Sequence, residues 1–224
     1  MTDGRIERGN RTRRLVLDHT MGIASAEGLQ GLSLGKISTE LGLSKSGVFA
    51  LFGSKESLQV ETVRSAVDVF VRHVVRPLRA EPAGAAKAWR LCELWLGYSG
   101  RRVFPGGCFF HAVSAEFDSR PGPVHDEIAK ARRNWSGYVE RVLEEARLAG
   151  GFRADLDAAQ VAFEIIALME MADSESVLHD DVRAYTRAAT GILSRLRAAA
   201  TDPSTLPEHP PLPGEFTAPA ARTE

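Results

Sequence analysis

Five residues within one short stretch, Ser44, Lys45, Ser46, Gly47 and Phe49, are of the types that read a nucleic acid rather than transform a substrate. Lys45 can reach guanine acceptors or a phosphate, Ser46 can donate to either, and Gly47 lets a backbone approach a base edge closely. Ser33, Lys36 and Lys55 flank them. Lys55 follows Ser54, a capping residue, so its cation would join free amides and the positive end of a helix, an arrangement suited to a phosphate. Ser33 and Lys36 could do the same on the neighbouring strand.

Other chemistry finds less support. Ser33 and Lys36 fit the serine-lysine pattern S-x-x-K, but the pattern is short, helix capping accounts for both residues, and its partner motifs are missing. His111, Glu116, Asp118 and His125 carry ligand atoms, yet His111 and Glu116 stand five apart and would point to different faces of one helix, so no metal set is expected. The chain has no G-x-S-x-G, P-loop, H-E-x-x-H or G-x-G-x-x-G pattern. Neither an enzyme nor a cofactor is expected. Cys92 and Cys108 lie sixteen positions apart without a C-x-x-C, which disfavours a disulfide framework or a cysteine-only zinc site and leaves Cys108 as a small buried hydrophobe.

The elements that must position the reading residues follow from spacing. Ser33 can cap a two-turn helix whose Leu34, Ile37 and Leu41 share one apolar face, and Gly42 tolerates a left-handed exit. Leu43 turns inward, Ser44 caps a second short helix, and Val48, Leu51 and Phe52 bury its other side. Two short helices joined by a glycine turn form a helix-turn-helix, whose second helix enters a major groove about 12 Å wide with its N-terminal residues against the bases.

Beyond this pair, apolar spacings of three and four dominate and β-branched alternation is scarce, so the chain is expected to be all-α. Nine helices are expected, near 10–27, 34–41, 45–51, 55–79, 84–99, 107–118, 122–149, 158–175 and 181–199. The 224 residues carry 28 Lys and Arg against 29 Asp and Glu, a net charge of -1, which excludes a uniformly basic coat. The charge is uneven: residues 1–58 hold eight basic and six acidic groups, with Arg5, Arg8, Arg11, Arg13 and Arg14 grouped as a basic arm. Residues 201–224 hold six of the eleven prolines and read as a disordered tail. No segment suits a membrane helix or signal peptide, so a cytoplasmic protein is expected.

Residues from about 10 to 60 resemble the DNA-binding domain of TetR-type transcriptional regulators. The resemblance rests on Glu27-Gly28 closing a first helix, Leu34 to Leu41 as the second, Gly42-Leu43-Ser44-Lys45 as the turn, Val48-Phe49-Ala50-Leu51-Phe52 as the recognition helix, and Ser54-Lys55-Glu56-Ser57-Leu58 opening the fourth. It implies that Lys45, Ser46, Gly47 and Phe49 face DNA while Ser33, Lys36 and Lys55 touch phosphates. Two positions depart from the family: Phe49 stands where Tyr is common, removing a hydroxyl, and Gly47 where a small or hydroxyl-bearing residue is frequent.

The resemblance divides the chain into a three-helix reading domain with its basic arm (1–58), a helical effector-binding and dimerisation domain (59–200) and the tail (201–224). It implies a homodimer on pseudo-palindromic operator DNA, acting as a repressor released by a small apolar effector. A regulator without an effector is the alternative, favoured if the aromatic cluster proves solidly packed; a helical enzyme is the remote one. Seven of the sixteen aromatic residues fall between 89 and 117, around a Phe104-Pro-Gly-Gly-Cys-Phe-Phe break that could form the mouth of an apolar cavity. Trp95, Tyr98, Phe104, Phe109, Phe110, Phe117 and Trp135 are the expected lining. Val161, Ile165 and Leu168 share one helix face, and Tyr185, Ala189, Ile192 and Leu196 recur at coiled-coil-like spacing on the next. These seven are expected at the dimer interface.

Overall fold

A computed structural model describes residues 3–211, 214 and 216. Among these residues nine α-helices form, with no strands: α1 (Asp3–Glu27), α2 (Leu34–Glu40), α3 (Lys45–Phe52), α4 (Lys55–Phe70), α5 (Ala85–Gly100), α6 (Phe109–Phe117), α7 (Pro123–Leu148), α8 (Ala158–His179) and α9 (Arg183–Ala199). The all-α architecture and the nine-helix count agree with the spacing. After α4 the backbone passes through a π-turn at Val71–Val75 and a 3-10 turn at Arg76–Leu78, where Pro77 lacks the amide a helix would need. None of the described helices is long and apolar enough to cross a membrane.

The chain forms two compact units whose boundaries differ from the expected division at 58/59. One contains the residues up to Val69 together with Phe104–Ala131, and the other contains Phe70–Val103 with the residues from Arg132 onward. In the first unit α6 packs against α1. The cause lies at the glycine break. The amide of Gly106 donates to Ser25 Oγ at 3.1 Å, and a Cβ on Gly106 would lie 1.8 Å from the Ser25 carbonyl oxygen. The segment expected to be the mouth of a cavity is therefore seated on α1, with glycine permitting the close approach.

The basic arm is also different from its expectation: α1 already runs from Asp3, so Arg8, Arg11, Arg13 and Arg14 lie on the helix itself. Arg13 is a structural residue. Its guanidinium donates to the Leu51 carbonyl at 2.6 Å, pairs with Glu61, and lies 4.8 Å from the centre of the Phe52 ring, tying α1 to α3 and α4. Thr20 and Thr62 share a buried hydrogen bond of 2.9 Å between α1 and α4.

In the second unit α8 and α9 pack along their lengths, and both touch α5. Residues 201–211, expected to be disordered, fold back on this unit. The Thr201 amide donates to the Gly151 carbonyl at 3.1 Å, Asp202 caps a 3-10 turn at Pro203–Thr205, and Leu206 is buried. Asp202 accepts from the Ser204 hydroxyl and amide, which holds its pKa below the usual carboxylate value. Of the remaining tail positions Gly214 and Phe216 are described, and the others, with the disorder expected of them, lie outside the described residues.

Candidate nucleic-acid interface

The helix pair is built by its caps. Ser33, in extended conformation, accepts the Lys36 amide at 3.5 Å and opens α2. The helix closes through Leu41 N–H to Ile37 O and Gly42 N–H to Thr39 O, and Gly42 has φ +62, where a Cβ would be strained. The Leu43 amide then donates to Ser38 O at 2.8 Å, completing the turn. Ser44 accepts the Gly47 amide at 3.0 Å and starts α3, which ends at Gly53 with φ +75. Ile37, Val48 and Phe52 are buried, with Leu29 and Leu32 beneath them.

That burial leaves one face of α3 outward. Ser44, Lys45, Ser46, Gly47, Phe49 and Ala50 are all exposed, Phe49 at 55%. A Cβ on Gly47 would lie 2.8 Å from Ser44 Oγ, and glycine there leaves the backbone bare. The Lys45 side chain engages no protein group recorded among the described residues, so its cation projects freely from the helix start. The sequence-predicted residues on α3 are thus brought together on a single surface.

The flanking lysines are engaged within the protein. Lys36 Nζ donates to Glu27 at 2.8 Å, and that hydrogen bond raises its pKa. Lys55 Nζ donates to the Gln30 carbonyl at 2.7 Å, while Ser54 Oγ accepts the Ser57 amide at 3.0 Å and caps α4. Both lysines would have to exchange these partners to meet a phosphate.

Both converge on the α1–α2 loop, which a residue from α6 also holds. Glu116 accepts the amides of Leu29 and Gln30 at 2.9 Å each, and Gln59 Nε2 donates to the Leu29 carbonyl at 2.8 Å. Gly28 makes room: its φ is +82, and a Cβ there would fall 2.2 Å from Glu116 Oε1. Sequence reading weighed Glu116 only as a metal ligand. The local signal for its partner was Gly28 after α1, a left-handed helix exit; the 87-residue separation left no signal for Glu116 itself. His125, from the same weak ligand set, lies 2.9 Å from Asp126. Among the described residues no group of three or more His, Cys, Asp or Glu is placed to hold a metal.

The seven aromatic residues expected to line an effector cavity divide between the units. Phe104, Phe109, Phe110 and Phe117 are buried in the first, where Phe109 packs on Phe104 at 5.6 Å and on Phe110 at 5.4 Å. Trp95, Tyr98 and Trp135 belong to the second; Phe70 meets Tyr98 and Trp135 edge-on at 5.3 and 4.9 Å. Cys108 is buried, and burial drives the Cys92 thiol far above its usual pKa.

The seven residues expected at a dimer interface need correction. Val161, Ile165, Tyr185, Ala189, Ile192 and Leu196 are fully or nearly fully buried within the protomer, so these six form the core of the chain itself, while Leu168 is half-buried. Helix α8 carries a second apolar stripe, and its outer face holds Phe163, Ala167, Met171 and Leu178, with Phe163 71% and Leu178 74% exposed. The i, i+4 spacing of Phe163, Ala167 and Met171 was the available signal for this second stripe. Beside it a cavity of about 140 Å³ is lined by Leu168, Met171, Ala172, Ala184 and Ala188 and rimmed by Glu175 and Arg187.

A capped helix pair with an exposed, polar and cationic leading edge defines a helix-turn-helix protein of the kind that reads duplex DNA. Residues 84–192 match the family described as tetracyclin repressor-like, C-terminal domain. The fold is shared with a TetR transcriptional regulator from Chloroflexus aurantiacus, at 20% identity and a TM-score of 0.80 over 87% of this chain and 98% of that one. It is shared also with a TetR-family regulator from Cytophaga hutchinsonii (18%, 0.76, 87% and 98%) and a transcriptional regulator from Saccharomonospora viridis in complex with choline (20%, 0.70, 83% and 95%). No curated protein matches the sequence. The fold is that of the TetR-type transcriptional regulators, and residues 84–192 carry the tetracyclin repressor-like C-terminal domain.

Proposed function

We propose that the protein is a sequence-specific regulator that binds operator DNA as a homodimer through the exposed face of α3. The observation that carries the reading is the single exposed surface formed by Ser44, Lys45, Ser46, Gly47 and Phe49. Lys45 and Ser46 read base edges, while Ser33, Lys36 and Lys55 stand where phosphates would pass once their internal partners are exchanged. One head of modest charge binds weakly, and two heads about 34 Å apart bind a pseudo-palindrome together. The second copy docks on the outer face of α8, where Phe163, Met171 and Leu178 would otherwise leave apolar surface in water.

The regulator acts as a repressor released by a small apolar effector. A second reading, regulation without an effector, is favoured by one observation: six of the seven aromatic residues expected to line a cavity are buried, and the seven divide between the two units. Selection of duplexes from a random pool at physiological salt tests the main reading. An enriched two-half-site palindrome supports it; binding without enrichment, lost as salt rises, refutes it.

A further inference from the structure

Phe163, Ala167 and Met171 stand in one exposed file on α8, four residues apart. Four residues advance a helix by about 6 Å and turn it by about 40°, so Phe163 and Met171 lie on opposite flanks of Ala167, one below it and one above. A two-fold axis standing on Ala167, perpendicular to the helix, carries one end of the file onto the other. It sets the ring of Phe163 in a second copy over Met171 of the first, and the reverse. The smallest side chain of the file then lies at the crossing, where the two helices approach most closely.

Met171 is one edge of an opening. The cavity of about 140 Å³ between α8 and α9 is lined by Met171, Leu168, Ala172, Ala184 and Ala188. An aliphatic cavity of about 150 Å³ accepts a benzene ring. The chain's own ring is turned away from it: Leu168 lies about 140° round the helix from Phe163, and Phe163 is 71% exposed. Only a symmetry-related ring arrives on the side where the cavity opens.

The charges of the face admit a second copy. The same axis brings Glu164 towards Glu170 of the other chain, but each carboxylate is already paired within its own chain, Glu164 with Arg195 at 2.5 Å and Glu170 with Arg132 at 2.7 Å. At the rim of the cavity Glu175 meets Ala159 of the second copy, an exposed side chain too short to clash.

We infer that two copies of the chain pair across a two-fold axis at Ala167, each α8 lending its Phe163 ring to the other's cavity between α8 and α9. The inference rests on the reading of the outer face of α8 as the dimer surface, and it adds the register and the anchor. The test uses the full chain carrying Ala167→Cys; Cys92 and Cys108 are buried and offer no competing thiol. Copper-catalysed oxidation joins Ala167→Cys into a covalent dimer, because the axis brings the two sulfurs together. Ala159→Cys, about 12 Å along the same helix, has its mate about 24 Å away and stays unlinked. In sedimentation equilibrium Phe163→Ala raises the dimer dissociation constant about a hundredfold, about tenfold for each of the two rings. All three positions are exposed, so folding is not at stake.

A dimeric unaltered protein in which Ala167→Cys links no better than Ala159→Cys overturns the inference while the dimer reading stands. An unchanged dissociation constant for Phe163→Ala does the same. An unaltered protein that is monomeric at every concentration overturns the dimer reading and the inference with it, and gives the face to a partner of another kind.

Discussion

Glu116 and Gly28 form a coupled pair whose energetics follow from geometry. Glu116→Ala removes two hydrogen bonds from backbone amides to a carboxylate, each 2.9 Å long. Hydrogen bonds to charged groups contribute about 1.5–3 kcal/mol, and the partial exposure of this loop brings each below that range, to about 1 kcal/mol, or about 2 kcal/mol for the two. Gly28→Ala costs about 1–2 kcal/mol for a Cβ at left-handed φ, as the native φ of +82 requires. The new Cβ would also fall 2.2, 2.6 and 2.8 Å from Glu116 Oε1, Cδ and Oε2, so the carboxylate must leave and the same two bonds are lost. The single change at Gly28 is therefore expected to cost about 3–4 kcal/mol, and the double variant no more than that. Urea unfolding of the two single variants and the double, followed by circular dichroism, measures the cycle. Costs that add within about 0.5 kcal/mol would refute the clasp, because independent sites add and sites sharing a contact do not.

Further outcomes are expected across both units. Lys45→Ala weakens binding of the selected operator more than of random duplex, by about 1–3 kcal/mol if it reads a base; equal losses in competition assays would make it a backbone contact. Phe163→Asp places a charge on the outer face of α8 and gives a folded monomer by sedimentation velocity; a persistent dimer would move the interface elsewhere. Glu164 accepts from Gln160 and from Arg195 at 2.5 Å, and these bonds lower its pKa. A carboxylate lowered in the folded state stabilises above its unfolded pKa of about 4.3 and loses that contribution as pH falls through the folded value. Glu164→Gln therefore loses less stability than the unaltered protein on acidification below about pH 4.3, and parallel pH curves would contradict the assignment.

The helix-turn-helix was legible because everything that makes it is local. Ser33, Gly42, Ser44 and Gly53 act within four residues of themselves, and Ile37, Val48 and Phe52 mark the buried side by spacing alone. The fates of Lys36 and Lys55 were not legible on the same terms. Their partners, Glu27 and Gln30, stand nine and twenty-five positions away, and only the folded α1–α2 loop brings them into range. The position of α6 was hidden more deeply, since its attachment to α1 depends on Gly106 meeting Ser25 and Glu116 meeting Leu29 across more than eighty residues.

The outer helices show a different limit. Periodicity identifies apolar faces but does not say which face a chain buries in itself and which it keeps for a second copy. On α8 both faces are apolar: Val161, Ile165 and Met169 face inward, and Phe163, Ala167 and Met171 outward at the same spacing. The regular stripe of α9, Tyr185, Ala189, Ile192 and Leu196, suits self-association in isolation, yet it is consumed by α8 and α5. Its opposite face offers Arg183, Arg187, Thr190 and Ser194, polar or charged side chains that need no partner. The apolar surface left unsatisfied therefore belongs to α8. Phe163 discriminates between the two assignments because it contributes almost nothing to the protomer's own core: a lone fold would be indifferent to its loss, and a dimer would not.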